Sequence, residues 1–444
     1  MTLARTWAPI GGFATFDHGT DGQRQVVRYA AAERDIVIDD VAPPKLFWLR
    51  HGERRVLFYN YLPDTTTFVA REISNSKQLT KRMLSVAGVP NPEGESFSRG
   101  DRARAWAYAR KLGLPVVVKS QSGSGGVGVT PGIADEAHFR TAWEDAGRTA
   151  TVVVEKHVAG IDNRILVVGD KAVCATLREP AFVVGDGRAT IAGLIEARNL
   201  ARAENRFVGR KPLKISPMIE RNLAILGLTT QSVIEAGRRL RLHEIANVGG
   251  GGDSEDVTDR LHPDFAEIAV RAARAIPGIA HAGVDLLAPD ISRPAAGQRY
   301  AVCEINTRPD IALHHFPFFG PARDAAGAML DHFFPEAAIV PRERWRAVSL
   351  RLAGNGGPPD LRAIAQRLAG KATGREQAEE LRRLAALSAL TGWVRSGWGG
   401  ALEAYFCGPP LALERLVRQL DAKAGRLVES RAAEDQGLEA VEIG

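Results

Sequence analysis

The stretch that most constrains this chain is Leu114-Pro-Val-Val-Val-Lys119-Ser-Gln-Ser122-Gly123-Ser-Gly125-Gly126-Val-Gly128-Val. Its apolar run reads as a buried strand that delivers one lysine, and a glycine-rich loop follows at once. Lysine supplies a compact positive charge for phosphate oxygens, and small residues let backbone N–H groups approach those oxygens closely. The same composition also makes a plain hairpin turn, so the remainder of the chain must complete a nucleotide site or leave the loop without chemistry.

The 444 residues allow about two to four domains. With 45% hydrophobic and 25% charged residues the composition is that of a globular protein, and no apolar run is long enough to span a membrane. Cys174, Cys303 and Cys407 lie far apart without metal spacing, and the N-terminus has no hydrophobic signal core. A cytoplasmic location is therefore expected. The formal net charge is +6, but arginine is mixed with acid along the chain and no basic stripe is interleaved with aromatics. The expectation is attraction for anionic small molecules such as nucleotides and amino-acid carboxylates, with neither a nucleic acid nor a membrane as partner.

Residues 1–75 read as a small β-rich segment with strand candidates at Leu46-Phe-Trp-Leu, Arg55-Val-Leu-Phe-Tyr-Asn and Thr66-Thr-Phe-Val-Ala-Arg. Ser74-Asn-Ser76 can cap a helix that carries Lys77 and stops at Gly88 and Pro90. A second helix spans Asp101 to Leu112, and a third follows the glycine loop near Glu136 to Ala146. Thr151-Val-Val-Val-Glu155-Lys-His-Val158 reads as a buried strand ending in an acid, followed by a turn through Asp162 and Arg164 and a strand from Ile165. Residues 188–203 look helical, Lys214 lies in a basic loop, and Asn247-Val-Gly-Gly-Gly-Gly252-Asp253 is a second glycine-rich loop.

An amphipathic helix at Asp264–Ile276 precedes two strands, His281-Ala-Gly-Val-Asp285-Leu-Leu and Tyr300-Ala-Val-Cys-Glu304-Ile-Asn306. Strand alternation puts Glu304 and Asn306 on one face, and an antiparallel neighbour lets Asp285 join them. Two carboxylates and an amide oxygen suit Mg²⁺ held together with nucleotide phosphates. A solvated acidic edge is the alternative, although a carboxylate within an apolar strand is costly unless paired. From Trp345 onward the order strand, helices, strand (Thr391–Ser396), strand (Ala401–Phe406), helix (Leu411–Lys423), strand suggests an α+β module of roughly ninety residues.

Assembled in this order, residues 70–336 resemble the ATP-grasp superfamily, and within it most resemble the ATP-grasp part of cyanophycin synthetase, with bifunctional glutathione synthetase close behind. The phrases that carry the resemblance are Ser76-Lys-Gln-Leu-Thr-Lys, Val89-Pro-Asn-Pro-Glu-Gly, Val152-Val-Val-Glu-Lys, Val183-Val-Gly-Asp-Gly-Arg-Ala-Thr-Ile, Asp256-Val-Thr-Asp-Arg-Leu-His-Pro, Val284-Asp-Leu-Leu-Ala-Pro-Asp and Glu304-Ile-Asn-Thr-Arg-Pro. The resemblance implies an α+β / α/β ATP-grasp fold over 76–336 with a lid subdomain at about 115–180. The β-rich segment 1–75 precedes it, and a C-terminal acylphosphatase-like (ferredoxin-like) module occupies 345–432.

It also implies roles. Lys77 and Lys119 reach the nucleotide phosphates, Ser122 to Gly128 form the lid over them, and Glu155 and Val158 flank adenine. Asp162 takes the ribose and Lys214 lies near the γ-phosphate. Asp285, Glu304 and Asn306 hold metal, two Mg²⁺ by the family's pattern, and Arg164 and Asn247 contact the acyl phosphate or substrate. The implied activity is an ATP-dependent carboxylate–amine ligase that forms an amide through an acyl phosphate, with amino acids or short peptides as substrates. A homo-oligomer is compatible with it. The alternatives are an acyl-phosphate hydrolase using both domains and an ATP-binding module without chemistry.

The sequence departs from cyanophycin synthetase in having His243 and Glu244 where two arginines stand and Asp310 after the proline of the metal motif, and residues 345–432 are not expected to form the Mur-ligase-like domain that follows the core there. In the acylphosphatase-like module Ser396 occupies the position of the water-positioning asparagine. The phosphate loop aligns either at Gly354-Asn-Gly-Gly, which puts Arg362 in the arginine's place, or at Gly370-Lys-Ala-Thr-Gly374, which puts Ala378 there. Both alignments imply a degenerate module. His314 and His315, just past the metal motif, are either substrate contacts or packed side chains.

Overall fold

A computed structural model describes residues 22–42, 45–121, 128–146, 150–205, 207–209, 211–341, 344, 346–352, 389–396, 402–424, 429–433 and 441–443. The described residues fall into two compact units, one spanning 65–325 and the other combining 22–64 with those beyond 325. No helix among them is long and apolar enough to cross a membrane.

The first unit contains two antiparallel sheets that matter for function. Around Lys119, four strands lie in the order Gly94–Ser98, Thr151–Lys156, Val116–Ser120, Val129–Ile133. The apolar run before Lys119 forms the inner strand expected of it, with Val116 and Val118 fully buried. Phe139 and Trp143 from helix Glu136–Asp145 and Ala105 and Ala109 from helix Arg102–Leu112 close its core. The sequence places the end of helix Arg102–Leu112 well because its stop is chemical: Gly113 takes φ +85°, a conformation that favours glycine.

The second sheet has five strands in the order Asp253–Asp256, Lys171–Glu179, Ile161–Val168, His281–Ala288, Ala301–Asn306. One face packs on helix Pro263–Arg274 through Phe265, Ile268, Ala269 and Ala272, the apolar stripe legible in the sequence. Strands Ile161–Val168 and Lys171–Glu179 therefore belong to this sheet, and the sheet around Lys119 runs from Gly94 to Lys156. The turn at Gly160–Asp162 looks like a break within one subdomain when read locally; long-range pairing of Ile161–Val168 with His281–Ala288 makes it a passage between sheets. A smaller pair, Phe182–Val184 with Arg239–Arg241, carries helices Ile191–Ala203 and Pro217–Ile225 on an apolar core of its own.

The strand expected at Thr66–Arg71 is instead helix Phe68–Asn75, because the Thr67 side chain accepts a hydrogen bond from Ala70 N (3.1 Å) and caps it. Ser76 then caps helix Lys77–Val86 in the same way, accepting from Leu79 N (3.3 Å).

The second unit joins the N-terminal segment to the C-terminal residues. Helix Gly22–Glu33, unread in the sequence, lies with a four-stranded antiparallel sheet covering Val37–Pro63. Arg34 pairs with Asp331 (3.0 Å), Arg415 with Asp40 (3.0 Å), and Leu411 N donates to Asp35 (3.2 Å). The segment thus packs with the C-terminal part of the chain. The C-terminal strands lie in the order Glu429–Ala433, Arg346–Leu352, Leu402–Gly408, Thr391–Ser396, Val441–Ile443, antiparallel except for the last pair. Both candidate phosphate loops, with Arg362 and Ala378, lie outside the described residues.

Candidate active site

Lys119 sits at the fourth position of its strand, 8% exposed, with Nζ 2.6 Å from Glu155 Oε1 on the neighbouring strand. Lys81 Nζ reaches the same oxygen at 2.5 Å from helix Lys77–Val86. Burial alone would neutralise Glu155, but the two lysines outweigh it and hold its pKa below the ordinary carboxyl value. Burial likewise opposes the charge on Lys119, and Glu155 reverses the balance, so its pKa is raised. Lys77 opens its helix, with Nζ 3.4 Å from the Gln121 carbonyl; burial lowers its pKa while Glu304 acts to raise it. Sequence reasoning missed Lys81, yet it stands one helical turn after Lys77 on the same face.

Gly94 explains how Glu155 is seated. The two residues are cross-strand partners, and a Cβ at Gly94 would fall 2.6 Å from Glu155 Cγ and 2.5 Å from the Val154 oxygen. Val158 lies in the segment after the strand, half-buried. Of the glycine loop, Gly128 is described, with φ +71°, while Ser122, Gly123, Gly125 and Gly126 lie outside the described residues.

On the five-stranded sheet the register gathers the other candidates on one face. Asp285 faces Glu304 on one side and Arg164 on the other, Asn306 faces Gly283, and Asp162 faces Arg178. A bulge at Cys303 keeps Glu304 opposite Asp285 while the next pair becomes Leu286 with Val302. Arg164 grips Asp285 with two hydrogen bonds, the second Nη2 to Oδ2 at 3.0 Å, and Arg178 lies 3.1 Å from the same Oδ2. Arg178 also donates to Asp162 Oδ1 at 2.9 and 2.5 Å. The expected ribose acid and the expected metal carboxylate are thus tied through Arg178, a residue the sequence did not flag. For Asp285, the two guanidinium groups overcome burial and lower its pKa; for Asp162, burial prevails over Arg178 and raises it.

Glu304 has no ion pair among the described residues, and Asn306 Nδ2 is buried without a hydrogen-bond partner, so no partner commits that amide to one orientation. These two oxygen donors with Asp285 fit Mg²⁺, which typically takes one or two carboxylates and completes its shell with water and phosphate. A cation would share Asp285 with its arginines. Among the described residues no group of three His, Cys, Asp or Glu side chains forms a self-sufficient metal cage.

The second glycine loop is built by arginines. Asn247 Oδ1 accepts from Gly249 N at 2.9 Å and caps the short turn Val248–Gly250. Arg202, fully buried, donates to the carbonyls of Gly252 (2.8 Å), Gly251 (3.2 Å) and Val248 (3.2 Å) and to Asp253 (3.1 Å), and Arg198 pairs with Asp253 as well. Lys214 is exposed in the segment before helix Pro217–Ile225, and no described contact joins it to the other lysines. His314 and His315 are packed. His314 Nδ1 lies 2.8 Å from Thr176 Oγ1, and burial with Arg164 and its neighbours pushes its pKa down to about 3.

A sheet carrying Lys119 and Glu155 and a sheet of paired acids and arginines, joined through the helix that carries Lys77 and Lys81, define a nucleotide-binding fold of the grasp type. Residues 76–173 match the family described as carbamoyl-phosphate synthase L chain, ATP binding domain. Cyanophycin synthetase of Trichormus variabilis is 34% identical over 296 residues, covering 65% of this chain and 32% of that protein. The glutathione biosynthesis bifunctional protein of Mannheimia succiniciproducens is 33% identical over 278 residues, 61% of this chain and 36% of that protein. Among solved structures, a bifunctional glutathione synthetase from Pasteurella multocida aligns with a TM-score of 0.51 at 27% identity, covering 69% of this chain and 43% of that one. The chain carries an ATP-grasp domain with homology to cyanophycin synthetase and to bifunctional glutathione synthetase. It spans about a third of the length of these curated relatives.

Proposed function

We propose that the protein is an ATP-dependent carboxylate–amine ligase acting on amino acids or short peptides. The observation that carries this reading is the pairing of two clusters of opposite excess charge. Lys81 and Lys119 rest on one carboxylate, Glu155, with Lys77 beside them, whereas Glu304 stands unpaired beside Asp285 within electrostatic reach of Lys77 and Lys119. Phosphate oxygens fit the first cluster and a divalent cation the second, as Mg²⁺·ATP requires. ATP use is the coarser reading and follows from the ATP-grasp domain; Mg²⁺, one ion or two, and the individual residue roles belong to the proposal.

The carboxylate substrate attacks the γ-phosphorus, ADP departs, and an acyl phosphate forms. An amine then attacks the acyl carbon, phosphate leaves, and the amine loses a proton. Mg²⁺ held by Asp285, Glu304 and Asn306 would draw charge from the phosphates. Lys77 and Lys119 would neutralise phosphate oxygens, with Lys214 at the γ-phosphate once the loops close. Glu155 and backbone groups near Val158 would face adenine, and Asp162, oriented by Arg178, the ribose. Arg164 and the Asn247 loop would stabilise the oxyanion, and Ser122 to Gly128 would exclude water from the acyl phosphate. Subunit association and a cytoplasmic setting are part of the same reading. The strand order Glu429–Ala433, Arg346–Leu352, Leu402–Gly408, Thr391–Ser396 supports an acylphosphatase-like C-terminal module with a structural or substrate-binding task.

Incubation of the protein with Mg²⁺·ATP and pooled amino acids and peptides tests the reading. ADP release should require both a carboxylate and an amine, and mass spectrometry should find a product lighter by one water than its components. ADP release without a condensed product would instead favour a hydrolase, and nucleotide binding without ADP release a binding module.

A further inference from the structure

Glu155 is only 3% exposed, and both Lys119 Nζ (2.6 Å) and Lys81 Nζ (2.5 Å) rest on its Oε1. One ammonium would suffice to pair one carboxylate. The second matters when the first has other work: if Lys119 turns to a phosphate, Glu155 loses a partner in a place where an uncompensated charge is strongly unfavourable. Lys81 is anchored on helix Lys77–Val86, off the sheet that carries Lys119, so it can stay when Lys119 leaves.

We propose that Lys81 is the standing counterion of Glu155, a positioning residue that keeps this carboxylate ionised while Lys119 moves to the nucleotide, so that nucleotide binds without protonating Glu155. The inference rests on the ATP-ligase reading in one respect, that Lys119 meets a phosphate. Other groups around Glu155 cannot substitute. Lys77 is drawn toward Glu304 and turns its Nζ to the Gln121 carbonyl. Burial and nearby acids raise the Tyr108 hydroxyl, so it stays neutral. The residue across the strand, Gly94, has no side chain.

The test is calorimetric titration of the full chain with Mg²⁺·ADP in buffers of differing ionisation enthalpy, at several pH values. In Lys81→Met, departure of Lys119 leaves Glu155 without a cation, its pKa rises, and it takes a proton from solvent. This variant should take up about one more proton per bound nucleotide than the wild type, and its affinity should fall by up to about tenfold per pH unit as pH rises. Lys81→Arg keeps the charge and should restore the wild-type proton balance. Lys81→Met combined with Glu155→Gln removes the carboxylate, so its binding should again be free of the extra proton, and this pair serves where the single variant fails to fold.

Wild-type protein that binds no Mg²⁺·ADP would sink the ATP reading itself. Wild-type binding with an unchanged proton balance in Lys81→Met would overturn the counterion proposal alone. So would an extra proton that persists in the double variant.

Discussion

The two sheets of the ATP-grasp unit solve the burial of charge in opposite ways. Around Lys119, three lysines approach one buried acid, Glu155, and the surplus is positive. On the five-stranded sheet, Arg164 and Arg178 are matched by Asp162 and Asp285, and Glu304 is the surplus. Lysine, a flexible point charge, suits a place where, in the proposed ligase, the partner is exchanged for a phosphate. Arginine, with its rigid fork, serves where carboxylates must be held in place. The site is therefore prepared for a ligand carrying both signs, and the difference between the sheets predicts different consequences of breaking each.

The largest effect is expected from removing the surplus charges. Lys119→Met and Glu304→Gln should each lower ADP release on the order of a thousandfold in a coupled assay, and only Glu304→Gln should raise the Mg²⁺ concentration needed for half-maximal rate. If both variants shifted the Mg²⁺ requirement alike, the division of labour between the sheets would be wrong. Next comes Arg178→Met, which strips a cation from buried Asp285 and half-buried Asp162 and should cost about 2–4 kcal/mol in urea unfolding. A loss well under 1 kcal/mol would mean that Asp162 and Asp285 are compensated by Arg164 alone.

A smaller effect is expected at Gly94→Ala, whose methyl would collide with Glu155 Cγ and the Val154 oxygen; a loss of about 1–3 kcal/mol in stability should accompany weaker nucleotide binding. Stability loss with untouched binding would separate Glu155 from the nucleotide. The smallest is a pH effect. Because its lysines hold the folded pKa of Glu155 below the ordinary 4.5, its contribution to stability is present above that value and is lost as pH falls through the folded value. Glu155→Gln should flatten the acid limb of the stability profile there, and an unchanged limb would show that the pair adds nothing.

Much of this site was legible because its signals are local. The cap at Ser76 fixes where Lys77 emerges, the apolar run fixes the strand of Lys119, and alternation along Ala301–Asn306 puts Glu304 and Asn306 on one face. Thr66–Arg71 was misread because β-branched residues favour a strand locally, whereas Thr67 caps a helix there. Helix Gly22–Glu33 was missed although its alanines, glutamines and arginines favour helix.

The sequence by itself determined which residue types could meet phosphate and metal, because lysine after an apolar strand and acids inside apolar strands are costly without a task. Only the tertiary structure decided their partners. It brought Lys81 to Glu155, placed Arg178 between Asp162 and Asp285, seated Arg202 under the second glycine loop, and assigned strands Ile161–Val168 and Lys171–Glu179 to the five-stranded sheet. Each of these depends on strand register or helix packing between residues far apart in the chain, where the side-chain type tells what is needed and the fold alone tells from where it comes.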